Sequence, residues 1–185
     1  MRPGRPIGGT PALTLAIANS AVPRKPAGAR ETSIDDPFRD RPSLVRFVTN
    51  RFPTERDAIS QNDLARLTRW RDALFELLTG YAGGKVSPTA LAIINKEVQR
   101  AASIRHISAD LAVEVVACGG LVEQVVTACL DELAACDPTR LKRCLRPECG
   151  LLFYDTTRNR SARWHAENPC GWRSRGDRRG QLQPP

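Results

Sequence analysis

Apolar residues recur at helical spacing in three long stretches of the chain. Over residues 62–79, Leu64, Leu67, Leu74 and Leu78 fall on one helix face. Asn62 or Asp63 stands where a cap is needed, and Gly80 marks the expected end. Ser87, with Pro88 as first helical residue, opens a second helix carrying Leu91, Ile94, Val98 and Ala101. After Gly119-Gly120, a third runs from Leu121 to Ala135 through Val122, Val125, Val126, Cys129 and Leu133. A shorter helix is predicted from Ser43 to Asn50, with Leu44, Phe47 and Val48 on one side.

The remaining segments are less regular. Residues 104–117 are richer in β-branched side chains and predict one or two short strands. Leu13 to Ala18 is an apolar run too short to distinguish strand from helix. Residues 1–12 are rich in Pro, Gly and Arg and are expected to be disordered. The prolines and glycine between Ala21 and Asp40 read as loop, and Asp137-Pro138 starts a turn that delivers the chain to Cys144. GYAGGKVS resembles a phosphate-binding loop, but Thr79 replaces its first glycine and Val86 its final Ser/Thr, so no nucleotide site is assigned.

Composition supports helices: among 185 residues aromatics are only 5%, and Leu and Ala dominate the apolar set. No apolar run approaches the roughly 20 residues that cross a bilayer, so no membrane association is expected. The opening MRPGRPIGGTPALTLAIANSA has the early arginines of a secretory signal, but its apolar run is short, and cytoplasmic location is the expectation. Charge sharpens the division of the chain. Of a net +8, residues 140–180 carry +7, from 11 Lys/Arg against Glu148, Asp155, Glu167 and Asp177. A near-neutral body with a basic end fits either a polyanion-binding module or a solubilising tail.

The six cysteines divide in the same way. Cys118, Cys129 and Cys136 lie in or beside apolar sequence and are expected to be buried thiols. Cys144, Cys149 and Cys170 lie with His165 in polar, turn-rich sequence. They form two pairs, Cys144/Cys149 and His165/Cys170, separated by 15 residues. Each pair has a nearby proline and a glycine directly after its second member, Gly150 and Gly171. Tight turns of this kind present thiolate and imidazole donors to a tetrahedral zinc ion. A disulfide or unligated thiols are the alternatives, although a disulfide leaves one cysteine over and suits a reducing compartment poorly. The fold class is therefore mainly α. A helical N-terminal domain with a few short strands covers residues 13–136, a small zinc-binding module 137–180 and a tail 181–185.

The whole segment RLKRCLRPECGLLFYDTTRNRSARWHAENPCGWR resembles the C-terminal module of the CGNR zinc finger family. Arg143, Cys144, Cys149, Gly150, Phe153, Asp155, Asn159, Arg163, Trp164, Cys170, Gly171 and Arg173 fall in register with that family's pattern. The helices before it, from LTLAIANS onward, are similar to the family's ABATE domain. Two positions depart: His165 stands for the third cysteine, and Trp172 for the asparagine of Cys-Gly-Asn-Arg. The site becomes Cys3His with Zn2+ as cofactor, and Trp172 is expected to cover the module's small core, with stacking on a base or sugar as the alternative.

The resemblance implies a DNA-binding transcriptional regulator of the stress response, with the helical domain as sensor or oligomerisation part. Arg158, Arg160, Arg163, Arg173 and Arg175 are the expected nucleic-acid contacts. A small-molecule effector and a homo-oligomer are the further expected partners. The alternative is a zinc-stabilised module that binds protein or RNA without reading DNA sequence. An enzyme is not expected: no nucleophile has an adjacent base, and four protein ligands leave zinc no open position. His106, the other histidine, is expected to be a packed or surface residue.

Overall fold

The computed structural model describes residues 9–22, 36–49, 51–52, 59–101, 103–107, 109, 113–117 and 119–181. The helices are α1 (Ala12–Ala18), α2 (Arg41–Thr49), α3 (Gln61–Ala82), α4 (Pro88–Arg100), α5 (Leu121–Ala135) and α6 (Trp172–Gln181). Two antiparallel hairpins join them: β1 (Ser103–Ile107) with β2 (Val113–Ala117), and β3 (Leu141–Arg143) with β4 (Leu152–Tyr154). Among the described residues no helix is long and apolar enough to cross a membrane. The mainly helical class thus holds, and the segment 13–18 resolves as helix.

Some boundaries differ from expectation. The cap of α3 is Ser60: its hydroxyl accepts from Asp63 N at 3.1 Å, and the Asp63 carboxylate accepts from Ser60 N at 2.9 Å. Gly80 does not end the helix, which continues to Ala82. A Cβ on Gly80 would lie 2.4 Å from the Lys85 carbonyl oxygen, so the glycine admits a returning backbone. Asp40 accepts from Ser43 N at 2.7 Å, which starts α2 at Arg41. Ser87 caps α4 as expected, but Leu91 is exposed rather than on the buried stripe. Residues 1–8, most of the 21–40 loop, Cys118 and the side chain of His106 lie outside the described residues.

Ile17, Leu67, Trp70, Leu74, Val122 and Val126 are fully enclosed where α1, α3 and α5 meet. Cys129 and Cys136 are buried with them, as expected of apolar thiols, and burial pushes the Cys129 thiol up to about 12. The core does not stop at the boundary expected near Asp137, because Leu141, Leu152 and Tyr154 belong to it. Asn19 ties the two parts directly. Its amide donates to the Leu152 carbonyl at 2.8 Å and its carbonyl accepts from Leu152 N at 2.9 Å.

The entry to α1 has an unusual cap. Pro11 offers no capping side chain, and the Glu132 carboxylate on α5 accepts from Leu13 N at 2.9 Å, Thr14 N at 2.8 Å and the Thr14 hydroxyl at 2.8 Å. Glu132→Ala strands these donors and is expected to cost about 1–3 kcal/mol. Faster hydrogen exchange at the α1 amides, with α3 amides protected, is the expected signature; unchanged exchange would rule this cap out.

Candidate metal centre

The second hairpin carries the first ligand pair. β3 and β4 pair Leu141 with Tyr154, Lys142 with Phe153 and Arg143 with Leu152. Their connection folds into a tight knuckle, in which Cys144 N donates to the Leu151 carbonyl at 2.8 Å and Cys149 N to that of Arg146 at 3.0 Å. Gly150 has φ +68°, a conformation open to glycine and costly for other residues. The glycine after the second pair acts differently. A Cβ on Gly171 would sit 2.5 Å from Glu167 Oε2, the end of an exposed side chain that can move aside.

The second pair is brought back by one backbone bond, Leu145 N to the Arg163 carbonyl at 3.0 Å. His165 follows, and Cys170 arrives through a π-helical turn (Glu167–Gly171) just before α6.

All four ligand atoms of Cys144, Cys149, His165 and Cys170 lie within 4.8 Å of one another. Cys149 Sγ is 3.3 Å from His165 Nδ1. A tetrahedral zinc with bonds of about 2.3 Å to sulfur and 2.0 Å to nitrogen needs S···S edges of about 3.8 Å and S···N edges of about 3.5 Å. The cluster fits that size. Cys144 and Cys170 are buried while Cys149 and His165 are half-buried. Burial first, and then the neighbouring thiols, push the Cys170 thiol well up, and burial likewise raises Cys149. Converging thiols that resist ionisation separately form the donor set that a divalent cation stabilises as thiolates. Free sulfur at these positions rather than a disulfide is also what the geometry shows.

The basic segment resolves into two kinds of side chain. Arg140 is buried and donates through Nη1 to the carbonyls of Asp155 and Thr157, both at 2.8 Å. Lys142 donates to Asp155 Oδ2 at 2.6 Å and also to the Arg160 carbonyl. These two cations build the module, so total charge overstates its outward face.

Asp155, buried at 1% exposure, organises the loop beyond β4. It accepts from Thr157 N at 2.9 Å, the Thr157 hydroxyl at 2.5 Å and Ala162 N at 3.0 Å. Burial works against its charge, but the Lys142 ammonium and the Thr157 donors prevail and hold the carboxyl well below the usual range. The sequence marked Asp155 by its register in the motif without revealing this role. Lys142 carried no separate signal at all.

The arginines expected at a nucleic-acid surface are distributed around this loop and α6. Arg158 is exposed. Arg160 has φ 53° and is engaged with Asp137 at 2.9 Å and the Thr139 hydroxyl at 2.7 Å. Arg163 and Arg175 each place a guanidinium 5.7 Å from the Trp164 ring centroid, and Arg175 also pairs with Glu167. Arg173 is half-buried. Trp172 departs from expectation: it is 68% exposed and covers no core. As the first residue of α6 its side chain is carried outward, whereas Trp164 is the half-buried indole between two arginines.

No curated protein matches the chain. Residues 140–179 match the family model described as CGNR zinc finger. Four gathered ligand atoms on a knuckle and a helix start, within the matched span, make this C-terminal segment a CGNR zinc finger.

Proposed function

We propose that the protein is a zinc-dependent DNA-binding regulator in which Zn2+ is the ion held by Cys144, Cys149, His165 and Cys170. The observation that carries this reading is the Cys3His cluster beside the loop and helix that carry Arg158, Arg163 and Arg173. Zinc here would supply a tie between the knuckle and the segment that leads into α6. The four-donor set supports a structural rather than catalytic ion, and a protein without enzymatic activity. The helical body is proposed as an ABATE-like sensor or oligomerisation part of a cytoplasmic stress-response regulator.

Arg160 and Arg175 already have carboxylate partners, so phosphate must compete for them. Most contacts would therefore position the module on the backbone instead of reading bases. If four to six phosphates are neutralised, log affinity for duplex DNA is expected to fall with log salt at a slope of about −4 to −5. Selection of sites from a random DNA pool, with Cys149→Ser as control, tests the reading. A slope near zero together with no enriched sequence would sink it. The exposed Leu145 and Trp172 favour a second reading, in which the zinc-stabilised module binds a protein or RNA partner. Co-purification of one partner without any DNA preference distinguishes that case.

A further inference from the structure

The helical body contains a cleft that the zinc module does not touch. It follows the seam between α3 and α4, ends at the start of α5, and encloses about 590 Å3. Small-molecule sites span roughly 300–1,000 Å3. Helical spacing brings Arg66 and Arg69 of α3 opposite Ile93, Lys96 and Arg100 of α4.

Its floor is a three-helix ion network. The Arg66 side chain, 14% exposed, meets Glu97 of α4 at 2.5 Å and Glu123 of α5 at 2.7 Å. Glu97 also accepts from Arg100 at 3.0 Å. Burial opposes the Glu123 charge, but its bond to Arg66 outweighs that and holds the carboxyl below its ordinary range. Both carboxylates are thus committed within the floor. Arg69 and Lys96 have no carboxylate partner among the described residues; Arg69 donates through Nε to the Ala65 carbonyl at 3.3 Å. Two cations remain available above a floor already fixed in place, beside the partly exposed Ile93.

We propose that this cleft binds a small organic anion, its carboxylate or phosphate head between Lys96 and Arg69 and its apolar body against Ile93. A long polyanion fits less well, because Glu97 and Glu123 line the same space. The zinc module meets a different part of α3: Asp72, Phe75, Thr79 and Ala82 share hollows with Arg143. From Arg69 to Thr79, which shares a hollow with Arg160 and Arg163, the helix advances about 15 Å. The cleft is therefore distinct from the surface proposed for DNA.

Calorimetry and thermal shift on the full-length, zinc-loaded protein at low salt test this with phenyl phosphate, benzoate and the uncharged benzyl alcohol. At least one anion is expected to bind saturably at millimolar concentration or below, and the alcohol not to bind. The tighter anion identifies the head group. Lys96→Ala and Arg69→Ala, both at exposed positions, should each weaken binding about tenfold. Lys85→Ala, away from the cleft, should leave it unchanged, and zinc content should stay constant throughout. Equal binding of the alcohol, wild-type affinity in both cleft variants, or no binding by either anion would overturn the proposal. So would loss of duplex affinity in those variants with anion binding intact.

Discussion

Replacing Cys149 with serine is expected to remove the zinc ion and with it the order of residues 144–171. The loss of affinity should exceed the roughly 10- to 100-fold cost of removing a mere supporting contact around a metal. Cys149 is the half-buried member of the knuckle, next to His165 at 3.3 Å, and a serine hydroxyl there offers no thiolate. The damage should not stay within the module. Leu141, Leu152 and Tyr154 belong to the same core as Trp70 and Val126. Asn19 also depends on the Leu152 backbone for both of its amide bonds. A lower thermal midpoint for the α3 and α5 signals is therefore expected along with metal loss. Cys136→Ser, which alters a thiol that bonds the Leu133 carbonyl, should retain zinc. Unchanged zinc content in Cys149→Ser would refute the ligand assignment.

Asp155→Ala should be the most damaging substitution outside the ligands. It leaves Lys142 facing a buried position without its counter-charge and releases Thr157 and Ala162. Breaking a buried pair in this way costs about 3–5 kcal/mol. At about 2–4 °C per kcal/mol for a chain of this size, even the lower figure lowers the midpoint by about 6–12 °C. Replacing Lys142 as well, with methionine, should recover part of the loss, because the uncompensated charge is then gone. The pH dependence has a defined sign. The folded carboxyl titrates below its unfolded value, so its contribution is complete above about pH 4 and fades as pH falls further. The stability gap between wild type and Asp155→Asn, followed by denaturant unfolding, should be constant from neutrality to that point and then close. A gap that is already shrinking near pH 6 would point to some other group.

The sequence revealed helices where a long apolar stripe faces the core, as in α3, α4 and α5, but not in the short α1. It was weaker where several residues could serve one role. Ser60, Asn62 and Asp63 are all good caps, and only the reciprocal bonds between Ser60 and Asp63 select the first. α6 was invisible because WRSRGDRRGQ has no apolar stripe, and its position follows from Cys170 just before it. The Cys3His cluster was legible because turn chemistry and donor type coincide twice along the chain. The direction of Trp172 was not, since it depends on where that unseen helix begins. Likewise the count of arginines could not separate Arg140, which turns inward, from Arg158, which does not.

The clasp on α1 has a consequence for how the chain reaches this state during synthesis. The helix comprises residues 12–18, yet its cap is Glu132 and the residue just after it, Asn19, is bound by Leu152. At about 5–20 residues per second, those partners emerge from the ribosome about 6–27 seconds after α1 does. A seven-residue helix is too short to persist alone. Through that interval Leu13, Leu15 and Ile17 form an unsheltered apolar segment of the nascent chain. Closing so distant a contact late makes its formation a slow step, and α1 is among the last elements to find its place.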